Sequence, residues 1–135
     1  MKFKHSILFM LALAAIAISS CKKDEGKLPD ILFKTGGNYV STDQTVTTED
    51  TVLVGIKAEK TEEEDVLKTF SIIQTVADVD STIESLQLGG TQANVFEKDY
   101  NLVAGSTAGI QKKFGFIVTN RDGLKNEVSL TLAVQ

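Results

Sequence analysis

Apolar and polar residues divide this chain into a short leader and a strand-rich remainder. Ile7 to Ile18 is an almost unbroken apolar run. Further on, Val52, Val54, Ile56 and Ala58 alternate with Leu53, Gly55, Lys57 and Glu59, the two-residue period of a strand with one buried face. Phe114, Phe116 and Val118 repeat that period. Val128, Leu130, Leu132 and Val134 give its cleanest instance, alternating with Glu127, Ser129, Thr131 and Ala133. Asn120-Arg121-Asp122-Gly123 lies between these last two runs; glycine takes positive φ at little cost, so Asp-Gly predicts a turn closing a C-terminal hairpin. Less regular strands are predicted over 31–34, 68–76, 82–88 and 95–103, with Gly36-Gly37 and Gly89-Gly90 as punctuation. Thr61-Glu62-Glu63-Glu64 has capping-box spacing and predicts one helical turn before the strand at 68. About seven short strands broken by glycine turns predict an all-β fold, an antiparallel two-sheet sandwich.

The leader run is about a dozen residues, short of the roughly 20 that cross a bilayer core. Lys2 and Lys4 precede it and small residues follow, the layout of a secretory signal peptide, read here as a helix over residues 1–20. Ile18-Ser19-Ser20-Cys21 resembles the lipobox of bacterial lipoproteins. That resemblance implies cleavage before Cys21, a diacylglycerol on its thiol and acylation of the freed amine. Two such signals anchor stably where a single chain binds only marginally, each buried methylene contributing about 0.8 kcal/mol. Cys21 is the only cysteine, so it has no internal disulfide partner. An ordinary signal peptide followed by a chance cysteine would leave an exported lone thiol unexplained.

Lys22-Lys23-Asp24-Glu25 follows at once. Lys23, Asp24 and Glu25 are similar to the sorting signals of surface-exposed lipoproteins in the Bacteroidetes group, which implies an outer-membrane anchor and display on the cell surface; periplasm-facing anchoring is the alternative. As a charge run the same stretch reads as solvated tether. The expected organisation is therefore a signal peptide over 1–20, a lipidated tether over 21–28 and one domain over 29–135. Cys21 to Lys27 extends roughly 25 Å at about 3.3–3.6 Å per residue.

Removing the leader leaves 115 residues, and the loss of Lys2 and Lys4 takes the net charge from −4 to −6. That length suits one domain with a single core. An acidic domain carries no electrostatic footprint for nucleic acid and is repelled by anionic headgroups, so the lipid alone makes the membrane link.

Charge and composition also remove most catalytic chemistry. His5 is the only histidine and departs with the leader, leaving no imidazole for a Ser-His-Asp triad or a His-ligated zinc. Cys21 is consumed by lipid, and the glycine pairs lack phosphate-loop spacing. Glu62-Glu63-Glu64-Asp65 is the densest acidic cluster. It lacks the alternating layout of a calcium loop and reads as a solvated loop or helix start. Asp78 and Asp80, and separately Asp99 and Asp122, are further oxygen donors without a motif joining them. No metal, no cofactor and no enzymatic activity are expected. Seven aromatics remain after cleavage; Phe33, Phe70, Phe96, Phe114 and Phe116 suit the core. That leaves Tyr39 and Tyr100 as candidate platforms for a glycan or a protein partner, against the plainer reading of part-buried rings with surface hydroxyls. Asp50-Thr51-Val52 and Asp80-Ser81-Thr82 resemble the O-glycosylation acceptor of the same bacterial group, which makes Thr51 and Ser81 candidate modification sites.

Residues 28–135 look like the small immunoglobulin-like domains of Bacteroidetes lipoproteins. The carrying segments are Leu28-Pro29-Asp30-Ile31-Leu32-Phe33 and Phe116-Ile117-Val118-Thr119-Asn120-Arg121-Asp122-Gly123. The buried Trp and paired cysteines of antibody domains are absent, so the likeness is architectural. It implies an immunoglobulin-like sandwich serving adhesion, envelope assembly or glycan handling. The leading expectation is a non-enzymatic, membrane-anchored binding or assembly module of the cell envelope; the alternative is a glycan-binding accessory of a surface polysaccharide uptake system.

Overall fold

The structure, a computed structural model, describes residues 25–135. The signal helix, the lipobox residues Ile18, Ser19 and Ser20, Cys21, Lys23 and Asp24 lie outside the described residues. Eight strands follow one another: β1 (Asp30–Phe33), β2 (Gln44–Val46), β3 (Thr51–Glu59), β4 (Leu67–Val76), β5 (Val79–Gln87), β6 (Val95–Val103), β7 (Gln111–Asn120) and β8 (Lys125–Val134). They form a three-stranded sheet, β1-β3-β6, packed on a five-stranded sheet, β2-β8-β7-β4-β5. This is the expected all-β, two-sheet sandwich.

The two-residue period sets which side chains meet between the sheets. Val54, Ile56 and Ala58 of β3 are buried, and so are Phe114, Phe116 and Val118 of β7 and Leu130, Leu132 and Val134 of β8. Phe70, Phe96 and Phe116 are the largest fully buried side chains. Phe116 meets Phe33 edge-on, centroids 5.7 Å apart and planes at 84°, and Phe70 packs on Phe96 at 4.7 Å. Edge-on and tilted geometries are those that the ring quadrupole favours. The Asp-Gly turn forms as expected: Gly123 has φ 81, and the Gly123 N–H donates to the Asn120 carbonyl at 3.1 Å.

Three features differ from the sequence expectation. The sandwich is antiparallel except at β2, which pairs with β8 in parallel, Gln44 opposite Leu132 and Val46 opposite Val134. This eighth strand is three residues with one buried side chain; its partner defines it, and its own pattern does not. The strand expected over 82–88 begins at Val79, because the β4–β5 hairpin closes with only Ala77 and Asp78 between paired Val76 and Val79. Thr61–Glu64 forms a turn with no helix. The capping box fails because the Thr61 hydroxyl donates to the Leu28 carbonyl at 2.8 Å, outside its own segment.

Both residues of that hairpin tip have positive φ, 49 for Ala77 and 62 for Asp78. Two-residue hairpin loops demand this geometry, and Asn-Gly meets it with least strain, whereas a Cβ in the left-handed region costs about 1–2 kcal/mol. Ala77→Asn combined with Asp78→Gly is therefore expected to stabilise the domain by about 1–2 kcal/mol. A thermal melt of the double variant should show a midpoint several degrees higher; an unchanged or lower midpoint would mean the tip is not strained.

Each sheet edge is blunted against further pairing. β1 and β2 are short. β5 is bulged, since Ile72 pairs with Glu84 and Ile73 with Thr82, leaving Ile83 over. β6 turns the charged Lys98 inward, where it meets Glu84 of β5 at 2.6 Å across the open flank. Short edges, bulges and inward charges are the usual protections against edge-to-edge association.

Candidate functional site

The two tyrosines come to opposite fates. Tyr100 faces inward from β6, stacked on Phe70 at 6.0 Å and packed on Phe116 at 6.0 Å, with Lys98 Nζ 5.0 Å above its ring. Its hydroxyl is sealed from water, as is Glu84 Oε2, and neither has a hydrogen-bond partner. The two groups influence each other's protonation without reaching hydrogen-bond geometry. Burial and the neighbouring Glu84 push the Tyr100 hydroxyl far above the usual tyrosine range. Burial works against the charge of Glu84, but Lys98 and Tyr100 outweigh it and hold the carboxyl below its ordinary value. Tyr100 is half-buried and packs against the core.

Tyr39 lies on the outer face of the three-stranded sheet, where Gly55 leaves room for it. A Cβ at Gly55 would meet Tyr39 Cε1 and Lys34 Cδ at 2.7 Å each. The Tyr39 hydroxyl donates to Asp99 Oδ2 at 2.9 Å, and Lys34 Nζ donates to Asp99 Oδ1 at 3.0 Å and pairs with Glu97 at 3.3 Å. Lys34 and Tyr39 together hold the Asp99 carboxyl below its usual range, and Asp99 raises both the Lys34 ammonium and the Tyr39 hydroxyl. The ring is half-buried and fixed. No sequence signal pointed to Lys34 or Gly55, because the pairing of β1, β3 and β6 alone brings them under Tyr39.

Asp99 and Glu84 both carry lowered values, so their stabilisation is complete above the ordinary 3.8 of aspartate and 4.5 of glutamate. It is lost as pH falls through the lowered values of the folded state. Thermal melts between about pH 6 and about pH 2 should show the midpoint falling mainly below about pH 4. The Asp99→Asn variant should lose part of that slope, and an identical acid profile would remove Asp99 from the account.

The remaining candidates are scattered. Thr51 opens β3 and Ser81 lies on edge strand β5; both are exposed. Their neighbouring acids are engaged elsewhere, Asp50 accepting from the Thr47 hydroxyl at 2.7 Å and Asp80 from the Thr75 hydroxyl at 2.6 Å. Glu25 is exposed. Asp78 and Asp80 flank the β4–β5 tip, whereas Asp99 is on the other sheet and Asp122 in the β7–β8 turn. Among the described residues no group of three His, Cys, Asp or Glu side chains could hold a metal ion. Glu62, Glu63 and Glu64 line an open groove with Asp122, while Asp65 turns inward and is 2% exposed.

Asp65 leads to an arrangement the sequence did not disclose. Asn120 Nδ2 donates to Asp65 Oδ2 at 2.7 Å and to the Lys27 carbonyl at 3.1 Å. Its Oδ1 accepts from the Leu124 N–H at 2.8 Å and the Asp122 N–H at 3.1 Å. One buried amide thus joins the segment before β1, the β3–β4 loop and the β7–β8 turn. The Lys27 N–H also donates to Glu62 at 3.0 Å, and the Pro29 carbonyl accepts from Asn126 at 2.9 Å. These bonds carry the ordered domain back into the stretch expected to be tether.

The outer face of the five-stranded sheet is a continuous surface. Register places Thr131, Lys113, Thr75 and Asp80 in one row, Ser129, Gly115, Ile73 and Thr82 in the next, and Glu127, Ile117, Ser71 and Ser85 in a third. Small hydroxyl side chains thus surround the half-buried pair Ile73 and Ile117, with Lys113, Asp80 and Glu127 about them. Two shallow open grooves of about 470 and 490 Å³ run over it. Neither is an enclosed cavity.

No protein-family model matches the sequence, and no curated protein matches it. Among solved structures, the chain is similar to a superoxide reductase (neelaredoxin) from Ignicoccus hospitalis, with 9% identity, 81% of each chain covered and a TM-score of 0.52. A variant of that same protein gives 9% identity, 80% of each chain and 0.50. The sporulation control protein Spo0M from Bacillus subtilis gives 7% identity over 81% of this chain and 50% of that one, with a TM-score of 0.47. For the two reductase structures, at 9% identity, the likeness is one of fold alone.

Proposed function

We propose that the chain is a non-enzymatic lipoprotein, anchored through Cys21 in the outer membrane and displayed on the cell surface, whose domain binds or assembles with an envelope protein. The lipobox and the charged residues Lys23, Asp24 and Glu25 support the address. The observation that carries the binding reading is the outer face of the five-stranded sheet. A broad, shallow surface of small side chains around two isoleucines, with charges of both signs about them, suits a flat macromolecular partner better than a small molecule, which needs a concave site.

In-cell photo-crosslinking tests this, with the reactive residue at Thr131 on that face or at Lys57 on the opposite sheet. The expected result is a discrete, reproducible envelope protein captured from Thr131 and not from Lys57. No product above background from either position would contradict the reading.

One observation favours a second reading, a glycan-binding accessory: the Tyr39 ring is held in place on the sheet surface by Asp99 and Lys34. A glycan screen distinguishes the two. Sugar binding that Tyr39→Ala abolishes would favour this reading, and no binding would leave the protein partner.

A further inference from the structure

Strand polarity and the bonds around Asn120 give the sandwich two unlike ends. One end, the near end, gathers the start of β1, the β3–β4 loop, the β5–β6 connection and the β7–β8 turn. The other, far end gathers Thr47–Asp50, the Ala77–Asp78 tip and the loop from Ala104 to Ile110. The chain enters at the near end, and its entry is bonded there. Lys27 bonds through its N–H to Glu62 and through its carbonyl to Asn120. The carbonyls of Leu28 and Pro29 accept from Thr61 and Asn126, and Pro29 is buried. A lipid-anchored domain on a free leash has no preferred orientation. Where the chain is bonded to the body up to Lys27, only the six residues Cys21 to Gly26 separate the lipid from the body, a span of at most about 22 Å.

From this seat we infer that the near end, with Glu62–Asp65 and Asn120–Leu124, faces the lipid surface and the far end faces outward, an orientation that rests on the lipid anchor proposed above. Near-end acids do not reverse it. Repulsion from anionic headgroups fades within a Debye length of about 8 Å at physiological salt, so it sets a gap without turning a domain whose entry point is fixed. The outward end then holds all three non-glycine residues with positive φ among the described residues, Glu49, Ala77 and Asp78. The crosslinking face ends there too, since Thr75 and Thr131 lie toward the far ends of β4 and β8.

The test uses the full lipoprotein, matured in cells and reconstituted in phosphatidylcholine vesicles that carry a nitroxide on a fraction of headgroups. Two variants at exposed positions, Glu63→Cys near and Ser106→Cys far, each provide the one free thiol for a fluorophore once Cys21 is lipidated. The ends of a ten-residue strand are about 33 Å apart, so quenching at Glu63→Cys should be at least about threefold that at Ser106→Cys. Equal or reversed quenching in protein that floats with the vesicles would overturn the orientation and leave the anchor standing. Protein that does not float with them would remove the anchor itself, and the orientation with it. Glu64→Cys and Thr107→Cys repeat the comparison if either first variant is poorly folded.

Discussion

Replacing Phe116 with alanine is expected to destabilise the domain by about 3–5 kcal/mol. Phe116 is fully buried on β7, between β8 and β4 in the larger sheet. Its ring meets Phe33 of β1, Phe70 of β4 and Tyr100 of β6, so it touches both sheets at once. Neighbours on paired strands cannot collapse into the space it leaves, which puts the cost toward the upper part of the usual range. Domains of this size are stable by only about 5–15 kcal/mol, so the variant should unfold at a much lower urea concentration. Val79→Ala is the control: Val79 is 65% exposed on edge strand β5, and its loss should stay within about 0.5 kcal/mol. Equal shifts for the two variants would mean that the sheets do not pack as described.

The second large effect is expected at Asn120. Alanine there removes the hydrogen bond to Asp65, leaving a carboxylate that is 2% exposed without its amide partner, and frees the Lys27 carbonyl and two N–H groups of the β7–β8 turn. A buried charged group deprived of a partner costs more than the 1–3 kcal/mol of a neutral one, so a loss of about 3 kcal/mol is expected. Amide exchange at Lys27 should accelerate along with it. Asn120→Asp is the sharper variant, because it sets two carboxyls face to face in a dry site. Such a pair favours one retained proton, raising a carboxyl pKa in the folded state. The sign is then opposite to that of Asp99: relative to the wild type, the variant should be least stable at neutral pH and regain stability as pH falls through the raised value. A deficit relative to the wild type that does not shrink on acidification would show that the two side chains are not in contact.

Asn120 also marks the limit of what the sequence discloses. Strands with a strict two-residue period, β3, β7 and β8, were legible because burial on one face imposes that period directly. The Asp-Gly turn was legible because its backbone geometry selects its residues. β2 was not, since three residues with one apolar side chain carry no period. The helical turn expected at Thr61 failed for a related reason: a capping box describes a local contest, and the Leu28 carbonyl 33 positions away won the hydroxyl. Asp65 read as one of four solvated acids, yet it turns inward because Asn120 waits there, 55 positions along the chain. Of the two tyrosines, identical in composition terms, strand register turns Tyr100 toward the core, while Gly55 leaves room for Tyr39 on the outer face.

The lipid anchor is tested by the intact mass of the mature chain extracted from membranes. The expected product is a polypeptide beginning at Cys21, heavier than residues 21–135 by a diacylglyceryl group and an acyl chain, with lipidation abolished by Cys21→Ala. A mature chain that begins elsewhere, or that starts at Cys21 with the bare polypeptide mass, would contradict it.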